Sequence, residues 1–180
     1  MSAPPLLTAA IGATRLDICV ADITTLDVDA IVNAAHESLA PGGGVCGAIH
    51  AAAGPELARA CAALGACEAG EARVTPGFRL PARVVIHAVG PRWRGGVARE
   101  AEELERTYRA AFSVARDQAV GSIAFPALST GIFGYPLRPA TAIAVREARA
   151  ALARGDVRQV VFACFSDDVL AAYREEGVPG

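Results

Sequence analysis

Three short stretches of this 180-residue chain combine side chains and glycines at spacings suited to chemistry. The first is Val20-Ala21-Asp22-Ile23-Thr24, where a carboxylate follows an apolar segment. Just past a strand, Asp22 can accept a hydrogen bond from an amide, a ribose hydroxyl or an exocyclic base amine, or it can cap a turn with Thr24 and Thr25. The second stretch runs from Asn33 to His50 and sets Gly42-Gly43-Gly44 between His36 and Cys46. Glycines let backbone N–H groups approach an anion closely, and a helix opening behind them adds unpaired N–H groups and its positive dipole end. The third, Ser129-Thr130-Gly131-Ile132-Phe133-Gly134-Tyr135-Pro136, offers hydroxyls, glycines and aromatics suited to a phosphate on the backbone and a ring against a sugar.

Reactive side chains cluster in the second stretch. Cys46 at the start of a helix, with His50 four residues on, has the spacing of a thiol and base on one face; packing against a sheet explains the same cysteine. His36, Cys46 and His50 are also zinc-ligand types, although the same loop then has to admit an anion.

These loops meet only if the surrounding elements bring them to one edge of a sheet. Leu16, Ile18 and Val20 alternate with Asp17 and Cys19 as a strand does, and Ala30-Ile31-Val32, Val84 to Val89, Ser122 to Leu128 and Val157 to Phe165 read as buried strands. Helices are predicted over Pro55 to Cys67, with Leu57, Cys61 and Leu64 on one face, and over Val97 to Gln118, with a stripe of Ala101, Leu104, Tyr108, Phe112 and Ala115. Further helices are predicted over Pro139 to Ala153 and, capped by Asp167-Asp168, through Tyr173. Buried strands alternating with amphipathic helices imply an α/β fold, a largely parallel sheet covered on both faces, with ligands bound beyond the strand ends.

Composition narrows the chemistry. All 17 basic residues are Arg, so a Walker-type lysine, a Schiff base and a pyridoxal-phosphate anchor are excluded. A net charge of −2 supplies no basic field for a dedicated nucleic-acid partner. The uncharged runs Ser38 to Pro55 and Gln118 to Leu137 carry helix-breaking Gly and Pro, which argues against membrane spans. Residues 1–13 read as a leader or a partly docked first strand, with no basic n-region. Five scattered cysteines without a Cys-x-x-Cys fit a reducing cytoplasm. Without lysine, a bound anion is expected to rest on backbone N–H groups with no cation beside it.

The chain resembles the macrodomain family, in its MacroD-like branch, from about Arg15 to about Tyr173. The resemblance lies in Asp22-Ile23-Thr24, Val32-Asn33-Ala34-Ala35, Gly42-Gly43-Gly44-Val45, Ala48-Ile49-His50, Ala53-Gly54-Pro55, Gly70-Glu71-Ala72, Val85-Ile86-His87-Ala88-Val89-Gly90-Pro91 and Ser129 to Pro136. It implies a single macrodomain over residues 14–176, with three α/β/α layers around a six-stranded mixed, largely parallel sheet. It also implies a cleft for ADP-ribose at the strand ends. By resemblance Asp22 receives the adenine amine, Ile23 adds a backbone contact, and Asn33 opens the first ligand loop. Gly43, Gly44 and Val45 line that loop, and Ser129, Thr130, Gly131, Ile132, Phe133 and Gly134 line the second, with Phe133 against the distal ribose. Phe165 matches the region where the family stacks an aromatic on adenine, and a core aromatic is its other reading.

Two residues depart from the family's pattern. The motif Asn-Ala-Ala-Asn ends here in His36, and the Asp that usually precedes Gly-x-Ile-His is Cys46. That Asp positions a water for hydrolysis in the family, and a thiol is no substitute for a carboxylate acceptor. The expected function is binding of ADP-ribose or its monoesters with hydrolysis at the distal ribose. Mono-ADP-ribosylated proteins or O-acetyl-ADP-ribose are the substrates, and His36, Cys46 and His50 are the candidate catalytic residues. The alternative is a reader module that binds without hydrolysis. No cofactor, metal or membrane is expected, and the protein is expected to be a cytoplasmic monomer.

Overall fold

The computed structural model describes residues 7–11 and 14–177. The sheet comprises β1 (Leu7–Ile11), β2 (Thr14–Val20), β3 (Ala30–Ala34), β4 (Ala72–Pro76), β5 (Val84–Ala88), β6 (Ser122–Phe125) and β7 (Gln159–Cys164). Their order is β1-β2-β7-β6-β3-β5-β4. From β2 to β5 every pairing is parallel; β4 pairs antiparallel with β5. The strands β2 to β7 form the expected mixed, largely parallel sheet, and β1 adds a seventh, antiparallel to β2. Residues 7–11 of the leading segment are thus a docked edge strand.

The helices are α1 (Gly44–Ala53), α2 (Pro55–Leu64), α3 (Glu100–Asp117), α4 (Leu137–Arg154) and α5 (Asp167–Glu175). Strand periodicity divides the core between two faces. On one face Val32, Ile86, Phe125 and Phe162 pack with Leu104, Phe112, Ala144 and Tyr173 of α3, α4 and α5. On the other, Ile31, Val85 and Val161 pack with Ile49 and Leu57 of α1 and α2. The result is the three-layer α/β/α arrangement. Two positions depart from the predicted stripes: Leu64 and Ala101 are exposed, each in the terminal turn of its helix. The cap of α5 is Ser166, whose Oγ accepts the Val169 N–H; Asp167 and Asp168 occupy the first turn, where negative charge suits the dipole.

Candidate functional site

Strands β3, β5, β6 and β7 run in parallel and release their loops at one edge of the sheet, where a cleft of about 510 Å³ opens. Of the expected site residues, His36, Gly43, Gly44, Val45, Cys46, Ser129, Thr130, Gly131, Ile132, Phe133 and Phe165 line it. Asp22, Ile23, Asn33, His50 and Gly134 lie outside its walls.

One wall is the glycine loop leading into α1. Gly43 caps the helix with no side-chain hydrogen bond, so the N–H groups of Gly44, Val45 and Cys46 are left for a ligand. The wall requires glycine at two points. Gly44 has φ +58°, and a Cβ on Gly47 would stand 2.6 Å from the Gly42 carbonyl oxygen.

The facing wall follows β6. Thr130, Gly134 and Tyr135 fold the loop with backbone bonds to Ala127, Gly131 and Ser129. Among the described residues, the N–H groups of Gly131, Ile132 and Phe133 find no protein acceptor. The two walls come close: a Cβ on Gly43 would lie 3.9 Å from Ile132 Cδ1. Two loops with unpaired N–H donors therefore line one cleft, a composition suited to a phosphate or pyrophosphate.

A cation is present as well, contrary to the expectation of backbone donors alone. Arg92 lines the cleft, with its guanidinium 4.3 Å from the centre of the Phe133 ring. Sequence reasoning missed it because its nearness to Phe133, 41 positions further along the chain, is a tertiary fact that the local sequence Gly90-Pro91-Arg92 does not report. The loop holding Arg92 is firmly anchored. Trp93 N–H donates to the Phe133 carbonyl, and the Trp93 and Tyr135 rings sit 4.7 Å apart. Buried Glu100 accepts the N–H groups of Arg94, Gly96 and Ala98. Burial pushes its carboxyl up, but the backbone donors prevail and hold it below the ordinary carboxylate range.

At the other end of the glycine loop stand His36 and Cys46. His36 is exposed, and its Nδ1 accepts the Ser38 N–H at 3.3 Å, so the neutral ring presents Nε2–H. Cys46 is 6% exposed, accepts from Asn33 Nδ2 at 3.7 Å and donates to the Ala40 carbonyl at 3.9 Å. Asn33 is buried beneath the wall, with Nδ2 3.0 Å from His87 Nδ1. His87 is fully buried, and burial followed by neighbouring His50 pushes its pKa down to about 4. It is a hydrogen-bonded core histidine, as its place within an apolar strand implies. His50 has no hydrogen-bond partner at either ring nitrogen among the described residues, and burial lowers its pKa. The expected Cys46–His50 pair is thus not hydrogen-bonded; Cys46 is bonded instead to β3 and the glycine loop. Among the described residues no group of three or more His, Cys, Asp or Glu is placed to hold a metal ion, so His36, Cys46 and His50 do not converge as ligands.

The far end of the cleft is formed by Phe165, which is 76% exposed, and by Ser166 and Asp168 at the start of α5. Phe165 is therefore not a core aromatic. Asp22 is exposed and caps the turn Ile23–Thr25, with one oxygen accepting both the Thr24 N–H and hydroxyl. Ile23 is buried in the core beneath. Asp168 is the only carboxylate among the cleft's described lining residues, and the sequence singled it out only as a helix cap.

Comparison with known proteins agrees with this geometry. Residues 32–144 match the Macro domain family. The chain is 55% identical over 157 residues to a macro domain-containing protein of Chlorobaculum tepidum, covering 86% of this chain and 91% of that protein. It is 48% identical over 165 residues to the O-acetyl-ADP-ribose deacetylase of Salmonella typhimurium, covering 89% and 92%. The Oceanobacillus iheyensis macrodomain with ADP superposes with a TM-score of 0.91 at 40% identity, covering 94% of this chain and 93% of that one. The Trypanosoma brucei macrodomain in complex with ADP-ribose gives 0.83 at 43% identity, over 89% and 68%. Fold, cleft and relatedness converge: the chain belongs to the macro domain family.

Proposed function

We propose that this protein binds ADP-ribose in the cleft and hydrolyses ADP-ribose esters at the distal ribose. Its substrates are then mono-ADP-ribosylated proteins or O-acetyl-ADP-ribose. The observation that carries the reading is that two loops with unpaired N–H groups, Gly44 to Cys46 and Gly131 to Phe133, line one cleft together with Arg92. They suit a pyrophosphate at mid-cleft. Adenosine then lies toward Phe165 and the Asp22 turn, and the distal ribose toward Phe133, His36 and Cys46. The relative named O-acetyl-ADP-ribose deacetylase and the neighbours solved with ADP and ADP-ribose support both the ligand and the reaction class. In that reaction water adds to the acyl carbon, the ester C–O bond breaks, and ADP-ribose and a carboxylic acid leave. His36 supplies an Nε2–H to an ester oxygen, and Cys46 borders the reacting group. The five free cysteines suit a reducing compartment, and the cytoplasm is the location proposed.

A specific observation favours a second reading, a reader that binds without turnover. Among the described residues no carboxylate lines the His36–Cys46 end, and Asp168 lies at the start of α5. Assays on O-acetyl-ADP-ribose and on a mono-ADP-ribosylated protein, comparing wild type with Cys46→Asp, separate the two. Turnover by wild type supports the hydrolase. Turnover by Cys46→Asp alone supports the reader, since a carboxylate acceptor is then what the site lacked.

A further inference from the structure

Behind the cleft wall a chain of polar contacts runs through the molecule. Asn33 on β3 and His87 on β5 are register partners in parallel strands, and both face the α1–α2 layer, as does Thr75 on β4. His87 Nε2 lies 2.9 Å from Thr75 Oγ1, and His87 Nδ1 lies 3.0 Å from Asn33 Nδ2. Asn33 Nδ2 is also 3.7 Å from Cys46 Sγ, and the thiol in turn reaches the Ala40 carbonyl at the entry to the glycine loop. An amide nitrogen only donates, so His87 Nδ1 is the acceptor and its proton sits on Nε2, donated to Thr75.

From this chain we propose that His87 is a positioning residue for the cleft. As the Nε2–H tautomer it fixes which way the Asn33 amide is turned, and so presents an N–H donor to the sulfur of Cys46. Were Asn33 turned the other way, its oxygen would meet the sulfur, and Cys46 would lose the N–H donor that holds its sulfur in place for attack. Of the other groups around His87, Cys61 Sγ lies 3.6 Å from Nε2 and 3.9 Å from Nδ1, and the titratable His50 stands nearby on α1. Among the described residues no carboxylate is bonded to His87 to pull the proton onto Nδ1. The inference deepens the proposed function by assigning a device that orients a cleft residue, and it rests on that reading only for its consequence in turnover.

The test needs no ADP-ribose, so its failure is separable from failure of the binding proposal. Long-range proton–nitrogen correlation on uniformly labelled protein resolves the chain's three histidines. His87 is expected with Nδ1 unprotonated and Nε2 protonated at pH 7. A proton on Nδ1 overturns the proposal, because Asn33 must then present its oxygen. In parallel, alkylation of Cys46 is followed by peptide mass spectrometry, Cys46 being the most exposed of the five cysteines. His87→Leu is expected to slow it about threefold, the worth of one weak hydrogen bond to sulfur, while His87→Asn, which keeps an acceptor near the Nδ1 position, restores the rate. A folded His87→Leu that alkylates as fast as wild type overturns the proposal. If His87→Leu does not fold, the tautomer and the His87→Asn rate still decide it.

Discussion

At mid-cleft the groups offered to a ligand are backbone N–H donors on two glycine-bearing loops, whereas at the Cys46 end they are the side chains of His36 and Cys46, backed by Asn33 and His87. Backbone donors depend on chain conformation and survive a change of neighbouring side chain. A water-activating or orienting group depends on residue identity, and His36 and Cys46 stand at that end. On the proposed reading binding and chemistry are separable, and mutations at the two ends should break different properties.

The largest effect expected concerns the buried support of the Cys46 end. The His87 pKa is near 4 in the folded chain, against 6.5 when freely solvated. Below pH 6.5 the unfolded chain therefore takes up a proton that the folded chain refuses, and stability falls as the pH drops toward 4. The full loss is about 3 kcal/mol. His50, lowered by burial, adds to the fall. Denaturant unfolding at pH 7 and near pH 4.5 should show it, with a smaller fall in His87→Asn. An equal fall in both proteins would remove His87 as its cause.

At mid-cleft the largest effect is expected from Gly47→Ala. The new Cβ would stand 2.6 Å from the Gly42 carbonyl oxygen, so the glycine loop must move. A cost of about 2 kcal/mol corresponds to roughly thirtyfold weaker ADP-ribose binding by calorimetry. Binding within twofold of wild type would show that the loop's conformation does not matter. Arg92→Ala should do less. Losing one partly solvated cation over Phe133 is worth about 1 kcal/mol, roughly fivefold in Kd. The gap from wild type should narrow as salt is raised toward about 0.5 M; a gap insensitive to salt would mean that Arg92 acts through packing.

The same division governs what the sequence made legible. Periodicity located the long helices well: Val97 to Gln118 was predicted and Glu100–Asp117 is found, because Leu104, Tyr108, Phe112 and Ala115 are buried. Both glycine loops were legible, since backbone donors announce themselves through Gly42, Gly43, Gly44, Gly131 and Gly134. Strand β4 was not, being a short edge strand with Arg73 second in it and Pro76 at its end. Arg92 and Asp168 were not legible as cleft residues, because loop packing and the start of α5 bring them there. The bond between Asn33 and His87 joins residues 54 apart and depends on strand register, which no local motif reports.

Calorimetric titration of ADP-ribose into wild type and into the His36→Ala/Cys46→Ala double variant tests the separation of binding from chemistry most directly. Both proteins are expected to bind one equivalent with Kd below about 100 µM, a free energy near −5.5 kcal/mol or better, and to agree within about threefold. No binding to wild type at high micromolar ligand, or a binding loss confined to the double variant, would contradict a cleft whose affinity rests on its backbone.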